Sequence, residues 1–190
     1  MASPFLIIGL GNVGKDYTET RHNVGFMAID HTQKTLGLPE FTEEKKWKAY
    51  ISQGTYQDTP IMLAKPTTLM NNSGESARLI MDYFHVYKQR IMIIYDDIDI
   101  DAGTIRMRKS GSSGTHNGMR SVVKHLGTES IARLRIGIKP LHPTSNLASY
   151  VLGRMTHDEK DMLDEVLPHI DEAIKLFAMK EIDKAMNLYN

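Results

Sequence analysis

The chain has 190 residues, with 23 basic and 23 acidic side chains, 41% hydrophobic residues and no cysteine. That length supports one domain with a sizeable core, and the missing cysteines exclude disulfides and thiolate chemistry. No apolar run approaches the ~20 residues of a membrane span and the start lacks the layout of a secretory signal, so a cytoplasmic protein off the membrane is expected.

The stretch "SPFLIIGL" reads as a strand buried on both faces of a sheet. From Asn23 to Leu36 the apolar positions Phe26, Ala28 and Ile29 recur at helical spacing, and Gly37 stands where a helix commonly stops. "KKWKAYISQGTYQDTPIMLAKP" reads as two strands joined by a turn from Gly54 to Asp58. Ser73 to Val86 forms a second amphipathic helix with a stripe of Ala77, Ile80, Met81 and Phe84. "RIMIIYDDIDI" is a buried strand expected to stop at its acids, and "GTIRMRKSGSSGT" starts as a strand and dissolves into a Gly/Ser loop. A short helix follows in "HNGMRSVVKHLG", with Asn117 as the expected N-cap and Gly127 as its stop. The strand "ARLRIGIKP" ends at Pro140, and a polar loop with Pro143 comes next. Thr156 and Glu159 form a capping box that launches a long helix through Phe177. Strands alternating with helices predict an α/β fold over residues 1–190, a single-domain three-layer αβα sandwich around a mixed, mostly parallel sheet.

The zero net charge is unevenly spread. Residues 103–140 carry eight basic side chains against the single acid Glu129, whereas residues 156–190 carry nine acids and four lysines. A basic stretch of this kind suits a polyanion, with a solvated surface as the plain alternative.

Gly9, Gly11 and Gly14 have the G-x-G-x-x-G spacing of a dinucleotide-binding turn. That turn needs a helix to begin within the glycine loop, yet "KDYTETRHN" follows with no apolar stripe, and Asp30 falls inside a helical pattern. Nicotinamide binding is therefore disfavoured, and the loop is expected to present Asn12 and His22 at the end of the sheet where sites collect. Asp96 just past a buried strand, Asn71 after another, and Asn117 at a helix start can meet that loop. One histidine, one carboxylate and several amides suit water activated by a base, with the acid fixing the tautomer and amides binding an oxyanion. The eight histidines show no H-E-x-x-H spacing, so metal catalysis fits poorly. A non-catalytic RNA-binding module is the rival reading.

"GLGNVGKDYTETRHNVGF", "KPTTLMNNSG", "YDDIDIDAGTIRMRKSGSSGTHNGMRS", "RLRIGI" and "YVLGRM" together resemble bacterial peptidyl-tRNA hydrolase, in order and over nearly the whole chain. The resemblance implies an esterase that frees tRNA from peptides released prematurely. It implies His22 as the base, Asp96 as its supporting acid, and Asn12 as the residue that selects peptidyl esters. Tyr17, Leu69, Asn71 and Asn117 match positions that contact substrate, and Arg106, Arg108 and Arg135 match positions that hold tRNA phosphate. It further implies a cytoplasmic monomer without metal or cofactor. Leu69 stands where the family commonly has an aromatic, and Thr115 replaces a glycine.

Overall fold

The computed structural model describes residues 3–140 and 146–190, so the loop expected around Pro143 lies outside the described residues. Seven strands form one sheet: β1 (Phe5–Gly9), β2 (Thr42–Glu44), β3 (Ala49–Tyr56), β4 (Thr59–Pro66), β5 (Ile91–Asp101), β6 (Ile105–Arg108) and β7 (Ala132–Lys139). Their order is β2-β3-β4-β1-β5-β7-β6. The central β4, β1, β5 and β7 run parallel, while β2, β3 and β6 add antiparallel edges. The described residues also form six α-helices: α1 (Val24–Thr35), α2 (Ser73–Tyr83), α3 (Asn117–Leu126), α4 (Leu147–Val151), α5 (His157–Ala178) and α6 (Ile182–Tyr189).

Alternate residues of the central strands feed two separate cores. Phe5, Ile7, Met92 and Ile94 pack with α1, α5 and α6 on one face. Leu6, Ile8, Ile91 and Ile93 pack with α2 and α3 on the other. Burial on both faces explains why these strands read as unbroken apolar runs. The expected three-layer sandwich is the observed fold.

Four local expectations need correction. Asn117 is the first residue of α3, not its cap; the cap is His116, whose Nδ1 accepts from Met119 N at 3.1 Å. Gly54 lies inside β3, and the hairpin turn is Gln57-Asp58, both at positive φ as a two-residue turn requires. α2 ends at Tyr83, short of Val86. β5 does not stop at its acids: it runs on to Asp101 through a bulge after Asp97, because β7 still offers it a hydrogen-bonding partner.

Gly9 and Gly11 serve packing, whereas Gly14 is required by its backbone, at φ +120°. A Cβ on Gly9 would stand 2.3 Å from the Gly25 carbonyl, and one on Gly25 would stand 2.5 Å from the carbonyls of Leu10 and Ile94. Helix α1 thus lies directly on the sheet, and it begins at Val24, well past the glycine turn.

Candidate active site

A pocket of about 560 Å³ opens at the carboxyl ends of β1 and β5. Asn12, Tyr17, His22, Leu69, Asn71, Asp96, Asn117 and Arg135 all line it, so the expected base, acid and substrate contacts are brought together. Arg106 and Arg108 do not line it; they lie on edge strand β6.

His22 sits in a short 3-10 turn, Arg21–Asn23, that leads into α1. The turn is anchored from both sides. Arg21 donates from Nε and Nη2 to the two oxygens of Glu159, each at 2.7 Å, and its guanidinium lies 4.2 Å from the Tyr150 ring centroid. Glu159 also closes the capping box of α5, so the motif legible in the sequence holds the His22 turn as well. Asn23 is buried and clamps Asn12: Asn12 N donates to Asn23 Oδ1 at 2.8 Å, and Asn23 Nδ2 donates to Asn12 O at 2.9 Å. Asn12 Oδ1 in turn accepts from Met70 N at 2.7 Å. This fixes the orientation of the Asn12 amide and leaves its NH₂ as the group available to the pocket.

Asp96 is 3% exposed, at the point where β5 leaves the core. His22 Nδ1 lies 2.9 Å from each of its oxygens, and His116 Nε2 lies 2.9 Å from Oδ1. Burial alone pushes this carboxyl up, but hydrogen bonds and charge from the two imidazoles outweigh it and hold Asp96 well below the usual carboxylate range. An ionised Asp96 requires a proton on His22 Nδ1, which leaves the Nε2 lone pair free. His116 Nδ1 already accepts from Met119 N, so its proton is on Nε2, pointing at Asp96. The His116 ring also packs against His22 and Tyr95, with centroids 4.9 and 4.8 Å away.

His22, Asp96 and His116 are also the one grouping among the described residues compact enough to hold a metal, with ligand atoms within 4.8 Å of one another. The donor set argues against it. His116 Nε2 presents a proton rather than a lone pair, and both imidazoles meet the carboxylate at hydrogen-bonding distance.

The basic residues form a ladder. Arg106 pairs with Arg135 across β6 and β7, and Arg108 pairs with Arg133, so all four share one face. Arg135 donates to Asp97 Oδ2 at 3.0 Å. Arg133, 2% exposed, donates to three backbone carbonyls: Ser112 O at 2.7 Å, Glu129 O at 2.9 Å and Ile131 O at 3.4 Å. It pins the Gly/Ser loop, whose residues Ser112 to Thr115 form a pocket wall. Leu69 is 50% exposed and held at φ +60°, ψ 163°, a region for glycine. Thr115 has no positive φ, so its β-carbon is accommodated.

Sequence reading missed His116, Asn23 and Arg133. His116 was masked by its neighbour Asn117, the better helix cap by type. Arg133 did carry a signal, since it has the same strand parity as Arg135 in a strand that must be buried.

The family model described as peptidyl-tRNA hydrolase matches residues 6–190. The peptidyl-tRNA hydrolase of Gloeobacter violaceus is 41% identical over 97% of this chain and 93% of its own length. That of Alkaliphilus metalliredigens is 42% identical over 98% of this chain and 99% of its own. The crystal structure of peptidyl-tRNA hydrolase from Acinetobacter baumannii superposes with a TM-score of 0.91 at 31% identity, covering 98% of this chain and 94% of that one. With sequence, fold and site in agreement, the chain belongs to the peptidyl-tRNA hydrolase family.

Proposed function

We propose that His22 and Asp96 carry the family's reaction in this chain, the hydrolysis of the ester joining a peptide to the 3′-terminal ribose of tRNA. The chain is a carboxylic ester hydrolase of that family. The observation that supports the assignment is the pairing of His22 Nδ1 with a buried, ionised Asp96, which leaves Nε2 as a base in the pocket.

In this reading His22 Nε2 takes a proton from water while the water oxygen attacks the ester carbonyl carbon. The carbonyl π pair moves to oxygen, where the oriented Asn12 NH₂ donates to it. Collapse breaks the bond to the ribose oxygen, which leaves with the proton from His22. Asp96 stabilises the imidazolium throughout and keeps its own negative charge. Tyr17, Leu69, Asn71 and Asn117 contact substrate, the amides of Asn71 and Asn117 serving a peptide of any sequence. Arg106, Arg108 and Arg135 hold tRNA phosphate, a contact that needs charge and no base readout. The chain acts as one catalytic domain over residues 1–190, as a cytoplasmic monomer, without metal or cofactor. Among the described residues no helix is long and apolar enough to cross a membrane. Phosphate binding alone requires no paired imidazole and carboxylate, which disfavours a non-catalytic RNA-binding module.

Asp96→Asn tests the assignment. The amide cannot hold the imidazolium, so kcat should fall by about 10²–10⁴ while KM changes little. Wild-type kcat in this variant would remove Asp96 from the mechanism.

A further inference from the structure

Edge strand β6 carries Arg106 and Arg108, yet it has only four residues and one neighbour in the sheet, β7. On the open side of such a strand alternate backbone groups are left without a ladder partner. Thr104 O, just before β6, accepts from Gly137 N at 2.8 Å. By antiparallel alternation the backbone groups of Arg106 and Arg108 also face β7, and those of Met107, between them, face outward.

Asn190 meets both outward groups. Its Oδ1 accepts from Met107 N at 2.7 Å, and its Nδ2 donates to Met107 O at 2.9 Å. A carboxamide carries the donor and acceptor of a peptide group, so this side chain stands where one residue of a further strand would pair. Its mount is fixed. Asn190 N donates to Met186 O at 3.1 Å, in the last turn of α6. Helix α6 packs Ile182, Ala185 and Met186 against the core that also takes the Met107 side chain, and the Tyr189 ring lies 5.6 Å from that of His169 on α5. Two further ties flank the clasp. Arg106 Nη1 donates to Tyr189 O at 3.4 Å, and Lys109 Nζ lies 2.6 Å from Asp183 Oδ1.

Both amide bonds fall on the residue between the two arginines. Arg106 and Arg108 leave one face of β6, about 7 Å apart along the strand, so the backbone at Met107 sets their spacing and direction. Without the amide that backbone is bonded on one side only, and local opening starts where backbone hydrogen bonds are few and exposed. Water can satisfy the freed groups but cannot fix their position. Helix α6 lines no part of the pocket around His22, so any effect it has on substrate passes through β6.

We propose that Asn190 is a positioning residue for tRNA binding: its carboxamide completes the edge of β6 and fixes the backbone from which Arg106 and Arg108 extend. The inference rests on the reading that these arginines hold tRNA phosphate. The test compares wild type, Asn190→Ala, the double variant Arg106→Ala with Arg108→Ala, and the triple variant. Each is assayed on a full peptidyl-tRNA and on an ester carrying only the terminal adenosine. Asn190→Ala is expected to raise KM for the full substrate about fivefold, the scale of one neutral hydrogen bond, with kcat and the short ester unchanged. In the triple variant the loss of Asn190 should add nothing, because the groups it positions are already gone. Hydrogen exchange at the Met107 amide should quicken in Asn190→Ala by the same factor or more. A KM rise that persists in the triple variant would overturn the proposal, since Asn190 would then act without the arginines. So would an equal rise on the short ester, which marks general damage, or a Met107 amide that exchanges at the wild-type rate. An unchanged KM would overturn it too; joined to new self-association in sedimentation, it would show that the amide only guards an open edge. A double variant with wild-type KM is the separate signature of a failed phosphate reading, and the proposal falls with it.

Discussion

His116→Asn separates two jobs that one imidazole performs. Asparagine is a good N-cap, so the bond to Met119 N that starts α3 is kept, but its short side chain cannot reach Asp96. The lost contact is the 2.9 Å bond from Nε2 to a carboxylate that is nearly free of solvent. A hydrogen bond to a charged group contributes about 1.5–3 kcal/mol, and that is the expected loss of folding stability. His116→Ala removes the cap too and should cost about 1 kcal/mol more. If about half the bond's energy holds Asp96 in the orientation His22 needs, kcat falls by about three- to tenfold. KM for the tRNA substrate should stay within about twofold, because no phosphate contact is touched. Urea unfolding and single-turnover cleavage read the two effects on the same samples. Wild-type stability together with wild-type kcat in His116→Asn would refute the claim that His116 steadies the carboxylate.

Other outcomes follow from the same geometry. Leu69→Gly relieves a backbone strain of about 1–3 kcal/mol against a glycine cost of about 0.5–1 kcal/mol; urea unfolding should show a gain of about 1 kcal/mol, and a loss would mean that Leu69 is not strained. Arg106→Ala combined with Arg108→Ala should raise KM for full tRNA substrates, spare an ester carrying only the terminal adenosine, and lessen the salt slope of binding by about 2. Equal effects on both substrates would move these arginines off the phosphate. Asp96, held low in the folded state, contributes stability that is complete above its unfolded value of about 3.9 and is lost as pH falls through the lower folded value. The stability gap between wild type and Asp96→Asn should therefore shrink below about pH 4; a gap unchanged down to about pH 2.5 would contradict the depressed carboxyl.

The parts of the fold governed by periodicity were legible. Runs such as "FLIIG" and "IMIIY" are apolar at every position because both faces are covered, which identifies central strands of a three-layer fold. Edges were harder. The three-residue β2 and the acidic second half of β5 pair only because neighbouring backbones are in reach, and no local pattern announces that. The same division runs through the site. His22 is visible as a polar group on the loop after β1, and Asp96 as the first acid after the apolar half of β5. The clamp of Asn23 on Asn12 links residues 11 apart through side chain and backbone, and nothing in the spacing demands it. His116 is hidden differently: its contact with Asp96 spans 20 residues and depends on α3 returning its own start to the pocket. The glycine spacing misleads for a physical reason, since close packing of α1 on β1 and cradling of a pyrophosphate both call for residues without side chains.

The most direct test of the central claim is single-turnover cleavage of a peptidyl-tRNA by His22→Asn beside the wild type. The asparagine removes the base without touching the phosphate contacts, so cleavage should slow by about 10²–10⁴ while tRNA binding persists. Cleavage at the wild-type rate would show that the proton leaves water by another route.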